Sequence, residues 1–383
     1  MLPCSTRTPA TTPINSPAST DRADSHRKLF KIIYLLILCQ SATHSRGSRF
    51  CATECGFFAT DSFFDVGSNL IVLQSSSHTR LIHEQTIRSA VGCTGIGLHS
   101  GAPVSMRILP APSGTGIVFH RIDLDGFAIE AVSRNVARVS YATSLMKKGV
   151  LISTTEHLLS AFIGLGIDNA IVELDNLELP ILDGSAQPFA EMIRKVGIRK
   201  QRRPRKYLKI RREVEMREGN KFIAVYPANS YSVSYSINFP HPLIGKETFQ
   251  VQLSNGSYLR HIAPARTFGS RQDEQAMRNM GLIRGASSEN CIVLTRDGIE
   301  NGPLRFSDEF VRHKVLDLVG DLALLGQQIL GKVVADRAGH AMHTALVSRI
   351  LRDQTLWEEV TVSSEETATE AGSGVEAAVG AAV

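Results

Sequence analysis

The stretch spanning residues 310–325 is apolar at most positions, yet it carries His313, Asp317 and Asp321 among Val315, Leu316, Leu318, Val319, Leu322, Leu324 and Leu325. Its pattern and length predict a helix. A carboxylate buried without a partner in such surroundings is costly, so any fold of this chain must bring a cation or hydrogen-bond donors to these aspartates. Four residues make about one helical turn, so His313 and Asp317 leave the same face and can converge on one point. Imidazole nitrogen and carboxylate oxygen are ordinary zinc ligands, and a catalytic zinc commonly takes three protein ligands and keeps a fourth position open. A His–Asp pair at this spacing is by itself more often an ion pair or a satisfied core histidine. The apolar setting favours the metal.

A third ligand is expected at His157, in Thr154-Thr155-Glu156-His157-Leu158-Leu159, where a carboxylate stands beside a histidine at the start of a helical pattern. A further histidine follows downstream in Gly339-His340. These segments together read as a metal-dependent hydrolase.

Five motifs then occur in order: Ser153-Thr154-Thr155-Glu156-His157-Leu158, Gly164-Leu165-Gly166-Ile167-Asp168-Asn169, Pro180-Ile181-Leu182-Asp183-Gly184-Ser185, Ala265-Arg266-Thr267-Phe268-Gly269, and the run from Phe310 through Arg312, His313, Lys314 and Asp317 to Asp321 and Leu322. From about Gln85 to about Gln354 the chain closely resembles the UDP-3-O-acyl-N-acetylglucosamine deacetylases, zinc amidases of lipid A biosynthesis. The resemblance implies an α+β fold of two similarly built sheet-plus-helix domains, packed with their helical layers together and the active site between them. It implies zinc held by His157, His313 and Asp317, with Glu156 as general base. It also implies His340 as the acid, Asp321 as the carboxylate that orients it, and Thr267 as a donor to the oxyanion. Lys314, expected to project from a different side of its helix than the ligands, matches a residue near the sugar and diphosphate. Phe268 and His99 match residues that line the substrate's site, and Asp183 supports it or simply makes a turn. Ala286 stands where many relatives have glycine on the wall of the acyl passage, and Ser270 where several carry a larger side chain, so acyl length is left open. The implied reaction removes the N-acetyl group of UDP-3-O-acyl-N-acetylglucosamine. Two other readings are a zinc amidase for a different acylated amino sugar and a binding protein that has lost activity, but a pure binder has no need of metal ligands, base and acid together.

Composition agrees without deciding. The chain has 383 residues, 43% hydrophobic and 21% charged, ordinary for a globular protein and long enough for two domains. Its 42 Lys+Arg against 37 Asp+Glu give +5, too mild to demand nucleic acid, whereas an anionic UDP-linked substrate is welcome. The working form is expected to be a monomer, with no stable membrane insertion of the catalytic domain. Of six cysteines, Cys4, Cys39, Cys51 and Cys55 precede the recognisable region and Cys93 and Cys291 lie within it; they read as free thiols of a reducing cytosol.

The organisation expected is an N-terminal extension over 1–80, a first domain over 81–199, a basic linker over 200–206, a second domain over 207–355 and a disordered tail over 356–383. The extension holds Arg27 and Lys28 before the apolar run from Leu29 to Cys39, shaped like a signal peptide but too short for a comfortable span. A signal or anchor, an organellar transit segment and a wrongly assigned start compete; the last fits a cytoplasmic nucleotide-sugar enzyme best. No methionine lies between Met1 and Met106, so the start would be a non-Met codon near Val66 or Leu70. Strands are expected from Arg80 onward, helices from Thr155, Pro188, Asp308 and Ala341, and a solvated hinge at Lys200-Gln201-Arg202-Arg203-Pro204-Arg205-Lys206.

Overall fold

Two antiparallel-rich sheets, each built from alternating apolar positions, carry the helices that hold the site. The computed structural model describes residues 82–138 and 140–362. The first sheet has five strands in the order Val91–Ile96, Pro103–Pro110, Ala170–Leu174, Ile117–Arg121, Phe127–Glu130. Pro103–Pro110 alternates exposed and buried positions over most of its length, so one face is wet and the other packs inward. The second sheet has seven strands, and Gln328–Asp336 is its hub. That strand pairs antiparallel with Lys221–Pro227 and parallel with both Tyr231–Phe239 and Lys206–Ile210. Tyr231, Val233, Tyr235 and Ile237 all face the core, each worth roughly 1.5–3 kcal/mol of burial.

Six α-helices follow in chain order among the described residues: α1 Glu156–Leu165, α2 Gln187–Val196, α3 Asn255–His261, α4 Arg271–Asn279, α5 Glu309–Leu322 and α6 His340–Arg352. α1 and α5 are buried on nearly every side, as expected of helices between layers. α5 packs against α1, against the strands Tyr231–Phe239 and Gly245–Gln252, and against α6. The crossing of α1 and α5 is set by Gly320: a Cβ there would lie 2.0 Å from the carbonyl oxygen of Glu156. α1 ends at Gly166, whose left-handed backbone lets its N–H close on the carbonyls of Ile163 and Phe162.

Two expectations about the ends of the segments are corrected. The basic run is no hinge: Ile198–Pro204 is a strand paired antiparallel with His83–Ile87, and Lys206–Ile210 follows almost at once. The charges of Arg199, Lys200, Arg202 and Arg203 stay solvated while the backbone pairs, whereas Arg205 is buried in a bidentate pair with Asp168 (2.8 Å). The chain is also ordered beyond residue 355, because Trp357–Thr361 is a strand antiparallel to Lys206–Ile210 and Trp357 Nε1 donates to the Ile350 carbonyl (3.0 Å). The expectations for residues 1–80 and for the rest of the tail lie outside the described residues. Cys93 and Cys291 are free thiols. No helix among the described residues is long and apolar enough to cross a membrane.

Candidate metal centre and substrate cavity

Helix geometry does as the spacing requires: one turn of α5 brings His313 Nε2 to 3.3 Å from Asp317 Oδ1. The same oxygen lies 3.7 Å from His157 Nε2, supplied by the first turn of α1 across the Gly320 crossing. The two imidazoles stand edge to face, centroids 5.1 Å apart. All three side chains are buried, and their ligand atoms lie within 4.8 Å of one another.

The protonation states suit a cation. Burial, reinforced by the neighbouring His313, pushes His157 down to about 3, and burial lowers His313 as well, so both imidazoles are neutral at ordinary pH. Burial works against the Asp317 charge, but the cationic Lys314 and His340 beside it help hold the carboxyl well below its usual range. The contact from His313 Nδ1 to the Ala265 carbonyl (3.0 Å) places the ring proton on that nitrogen, leaving the Nε2 lone pair facing Asp317. Two neutral nitrogens and a carboxylate thus face each other in a buried cluster, an arrangement that a divalent cation stabilises and that fits the tetrahedral habit of zinc.

Glu156 is buried beside His157, where its Oε2 accepts from the Thr143 amide (3.1 Å). Burial pushes its carboxyl up to about 8 in the metal-free chain. His340 opens α6, buried and not in a polar loop, and its Nδ1 lies 2.8 Å from Asp321 Oδ2. Burial opposes charge on His340, but Asp321 outweighs it and raises the imidazole to about 9. His340 Nε2 comes within 3.9 Å of Asp317 Oδ2, so the acid candidate reaches the metal ligands' pocket.

Lys314 corrects an expectation. It does not project away from the ligands: its Nζ donates to Asp317 Oδ2 (2.7 Å), because positions three apart on a helix are neighbours. A cavity of about 510 Å³ opens over this cluster, and Thr267, Phe268, His99, Lys314 and Ala286 all border it. Its far wall includes Met277, Ile283, Val293 and Leu294, an apolar lining suited to a hydrocarbon chain. Ser270 also borders the cavity, and its hydroxyl accepts from the Gln272 amide (3.1 Å) to cap α4. Asp183 stands further off, paired with Arg305 (2.9 Å) and accepting from the Ser185 hydroxyl (2.8 Å) in its turn. A second cavity, of about 330 Å³, is bordered by none of the residues expected from the sequence.

Three buried residues escaped the sequence reading. Glu178 accepts from the backbone of His99 (2.8 Å) and Ser100 (2.7 Å) and from the Thr154 hydroxyl (2.9 Å), fixing both the cavity rim and the chain's entry into α1. Thr154 has a left-handed backbone (φ 58°), unusual for a β-branched residue, and this tie holds it there. Thr143 donates to Asp321 Oδ1 (2.6 Å), and His343 Nδ1 meets Asp321 Oδ2 (2.8 Å). Only His343 left a signal, its spacing of three from His340.

Residues 84–352 match the sequence model of the family described as LpxC, UDP-3-O-acyl N-acetylglycosamine deacetylase. A protein of Solibacter usitatus named UDP-3-O-acyl-N-acetylglucosamine deacetylase is 53% identical over 73% of this chain and 94% of its own length. Proteins of the same name from Anaeromyxobacter dehalogenans (44% identical, 74% of this chain, 92% of theirs) and Cellvibrio japonicus (39%, 75% and 96%) are similar as well.

Proposed function

Since the chain belongs to the UDP-3-O-acyl-N-acetylglucosamine deacetylase family, and so is a hydrolase that removes the N-acetyl group of this substrate in lipid A biosynthesis, we propose that it works as a zinc amidase with the metal on His157, His313 and Asp317. The observation that carries this reading is the convergence of two neutral imidazole nitrogens and one carboxylate oxygen within 4.8 Å, beneath a cavity with an apolar wall. Zinc, when bound there, supplies Lewis-acid polarisation of the amide carbonyl and makes water a stronger acid.

The chain's own residues account for the protons. Glu156, ionised when the charge of the bound metal offsets its burial, takes one from the attacking water. Thr267 and cationic His340 donate hydrogen bonds to the developing oxyanion, which strengthens as charge grows there. His340 then gives its proton to the departing amine nitrogen, so acetate leaves with one oxygen from water and the amino sugar leaves neutral or protonated according to pH. Asp321 holds His340 through Nδ1, leaving Nε2 directed at the reaction. Lys314 and His99 face the sugar and diphosphate, and Phe268 and Ala286 flank the acyl chain.

We take the part of the chain up to residue 199 and the part from residue 207 onward as two similarly built domains that each supply part of the site, the first giving Glu156 and His157 and the second giving His313, Asp317 and His340. One copy of the chain supplies every side chain in this scheme, so a monomer suffices, and a nucleotide-sugar substrate places the reaction in the cytoplasm. The test is metal analysis and deacetylation by His313→Ala beside the zinc-loaded and metal-stripped parent, on substrates of graded acyl length. The variant is expected to lose both zinc and turnover; full zinc and full activity would refute the ligand set.

A further inference from the structure

One carboxylate oxygen in this site serves two histidines, and only one of them has a role in the scheme above. Asp321 Oδ2 lies 2.8 Å from His340 Nδ1 and 2.8 Å from His343 Nδ1, three residues further along α6. Beyond it, His343 Nε2 is 3.1 Å from the Tyr235 hydroxyl, which donates to the Ala338 carbonyl at 2.8 Å. The Tyr235 and His343 rings meet edge to face, centroids 5.9 Å apart. Tyr235, Asp321 and His343 are all fully buried.

A cluster of Asp321, His340 and His343 is also compact enough to hold an ion. The geometry argues for hydrogen bonding instead. Both Nδ1 atoms sit at N–H···O length from the same oxygen, and a nitrogen that donates has no lone pair left for a cation. Buried polar chains of this kind are costly unless every member is satisfied, and when satisfied they hold one arrangement.

We propose that His343 is a positioning residue for the deacetylation: anchored by Tyr235, it fixes the shared oxygen of Asp321 and thereby the aim of His340. Tyr235 belongs to the strand Tyr231–Phe239, and Ala338 lies two residues past Gln328–Asp336, the hub of the second sheet. The far end of the chain is therefore tied to paired strands of the second sheet. Thr143 holds the other carboxylate oxygen, so without His343 the Asp321 group keeps only that anchor besides His340 itself, and the pair gains freedom to rotate about it. The single phenolic proton of Tyr235 is shared between the Ala338 carbonyl and His343 Nε2, which makes the Tyr235 link the weaker of the two on His343.

This inference rests on the acid role assigned to His340, and the experiment separates the two. With the zinc-loaded full chain, kcat, KM, zinc content and melting temperature are measured for His343→Leu, His343→Asn, Tyr235→Phe and His340→Ala. His343→Leu should lose kcat by about tenfold while KM stays within about twofold and zinc is retained, as expected for a group that acts through another. His343→Asn, whose amide nitrogen falls where Nδ1 lies, should recover most of that loss, and Tyr235→Phe should lose only about two- to threefold, since the Nδ1 bond survives. Parental kcat in His343→Leu beside a crippled His340→Ala would overturn the positioning role alone. Parental kcat in His340→Ala would overturn both roles. A His343→Leu loss that Asn does not restore, or that comes with lost zinc, would make His343 a packing residue and likewise overturn the inference. If the leucine variant does not fold, unchanged kcat in Tyr235→Phe and His343→Asn together with a parental KM and an unchanged pH profile would do the same.

Discussion

Adding one methyl group at Gly320 should damage the site more than the fold. A Cβ at this position would lie 2.0 Å from the Glu156 carbonyl oxygen, 2.7 Å from its carbon and 2.9 Å from its Cα. All three are backbone atoms of the first residue of α1, so no side chain can swing aside. Ordinary contact begins near 3.4 Å, so α1 and α5 must part locally by about 1.4 Å. Overpacking of a dense core costs roughly 1–3 kcal/mol, and the Gly→Ala change returns up to about 1 kcal/mol of helix propensity. A backbone-to-backbone clash belongs at the upper end, leaving a net cost of about 2 kcal/mol and a fall in melting temperature of roughly 4–8 °C for a domain of this size. The same separation falls between His157 on α1 and Asp317 on α5, now 3.7 Å apart at Nε2 and Oδ1. A misplacement of about 1 Å in a catalytic constellation can cost on the order of a hundredfold in rate. Gly320→Ala should therefore bind zinc more weakly and lose turnover by roughly that factor while remaining folded at room temperature. The measurements are thermal melting, zinc affinity by competition with a chelator, and kcat. Gly256→Ala on α3 is the control, because its nearest neighbours lie at 3.7 Å or beyond. Parental zinc affinity and kcat in Gly320→Ala would show that the helix crossing does not set the ligand geometry.

Glu156→Gln preserves shape and should retain zinc while losing kcat by roughly a hundredfold; an unchanged kcat would place the base elsewhere. In the metal-free chain, Glu156 raised from 4.5 to about 8 keeps its proton when the unfolded chain has lost it, so its contribution to stability declines as pH rises through that window. His340, raised from 6.5 to about 9, contributes stability below 6.5 that is lost on the way to 9. Both act together between about pH 6.5 and 8, so the melting temperature of metal-stripped protein should fall there and Glu156→Gln should flatten the slope; a profile that rises with pH would contradict these shifts. Ala286→Gly should shift relative kcat/KM toward longer acyl chains by at most the 1–3 kcal/mol that a methylene-sized change in an apolar pocket is worth, and a chain-length profile identical to the parent's would remove Ala286 from the acyl wall.

The legible part of this site is the part written within single helices. His313 and Asp317 meet because four residues make a turn, and the same rule places Lys314 against Asp317, although its charge suggests an outward course. The strand Ile198–Pro204 hides behind its arginines and lysines, since side chains that stay in water mask a backbone that pairs with His83–Ile87. Residues recruited from a distance are harder. His157 is marked as a ligand by the Glu156-His157 pair at a helix start, but no spacing ties it to α5, and nothing local connects Thr143 or Tyr235 with Asp321.

Burial explains this division. Asp317 and Asp321 announce themselves because a carboxylate inside an apolar helix needs partners, but the sequence states that need without naming who meets it. The partners arrive from residues 143, 157, 340 and 343, and their convergence depends on how closely two helices approach. A glycine within a helix reads from sequence as a local weakness, about 1 kcal/mol worse than alanine. At Gly320 that weakness is what lets the Glu156 carbonyl sit where a methyl group would be, and the approach it permits brings the base and a metal ligand on one helix to the carboxylates of the other.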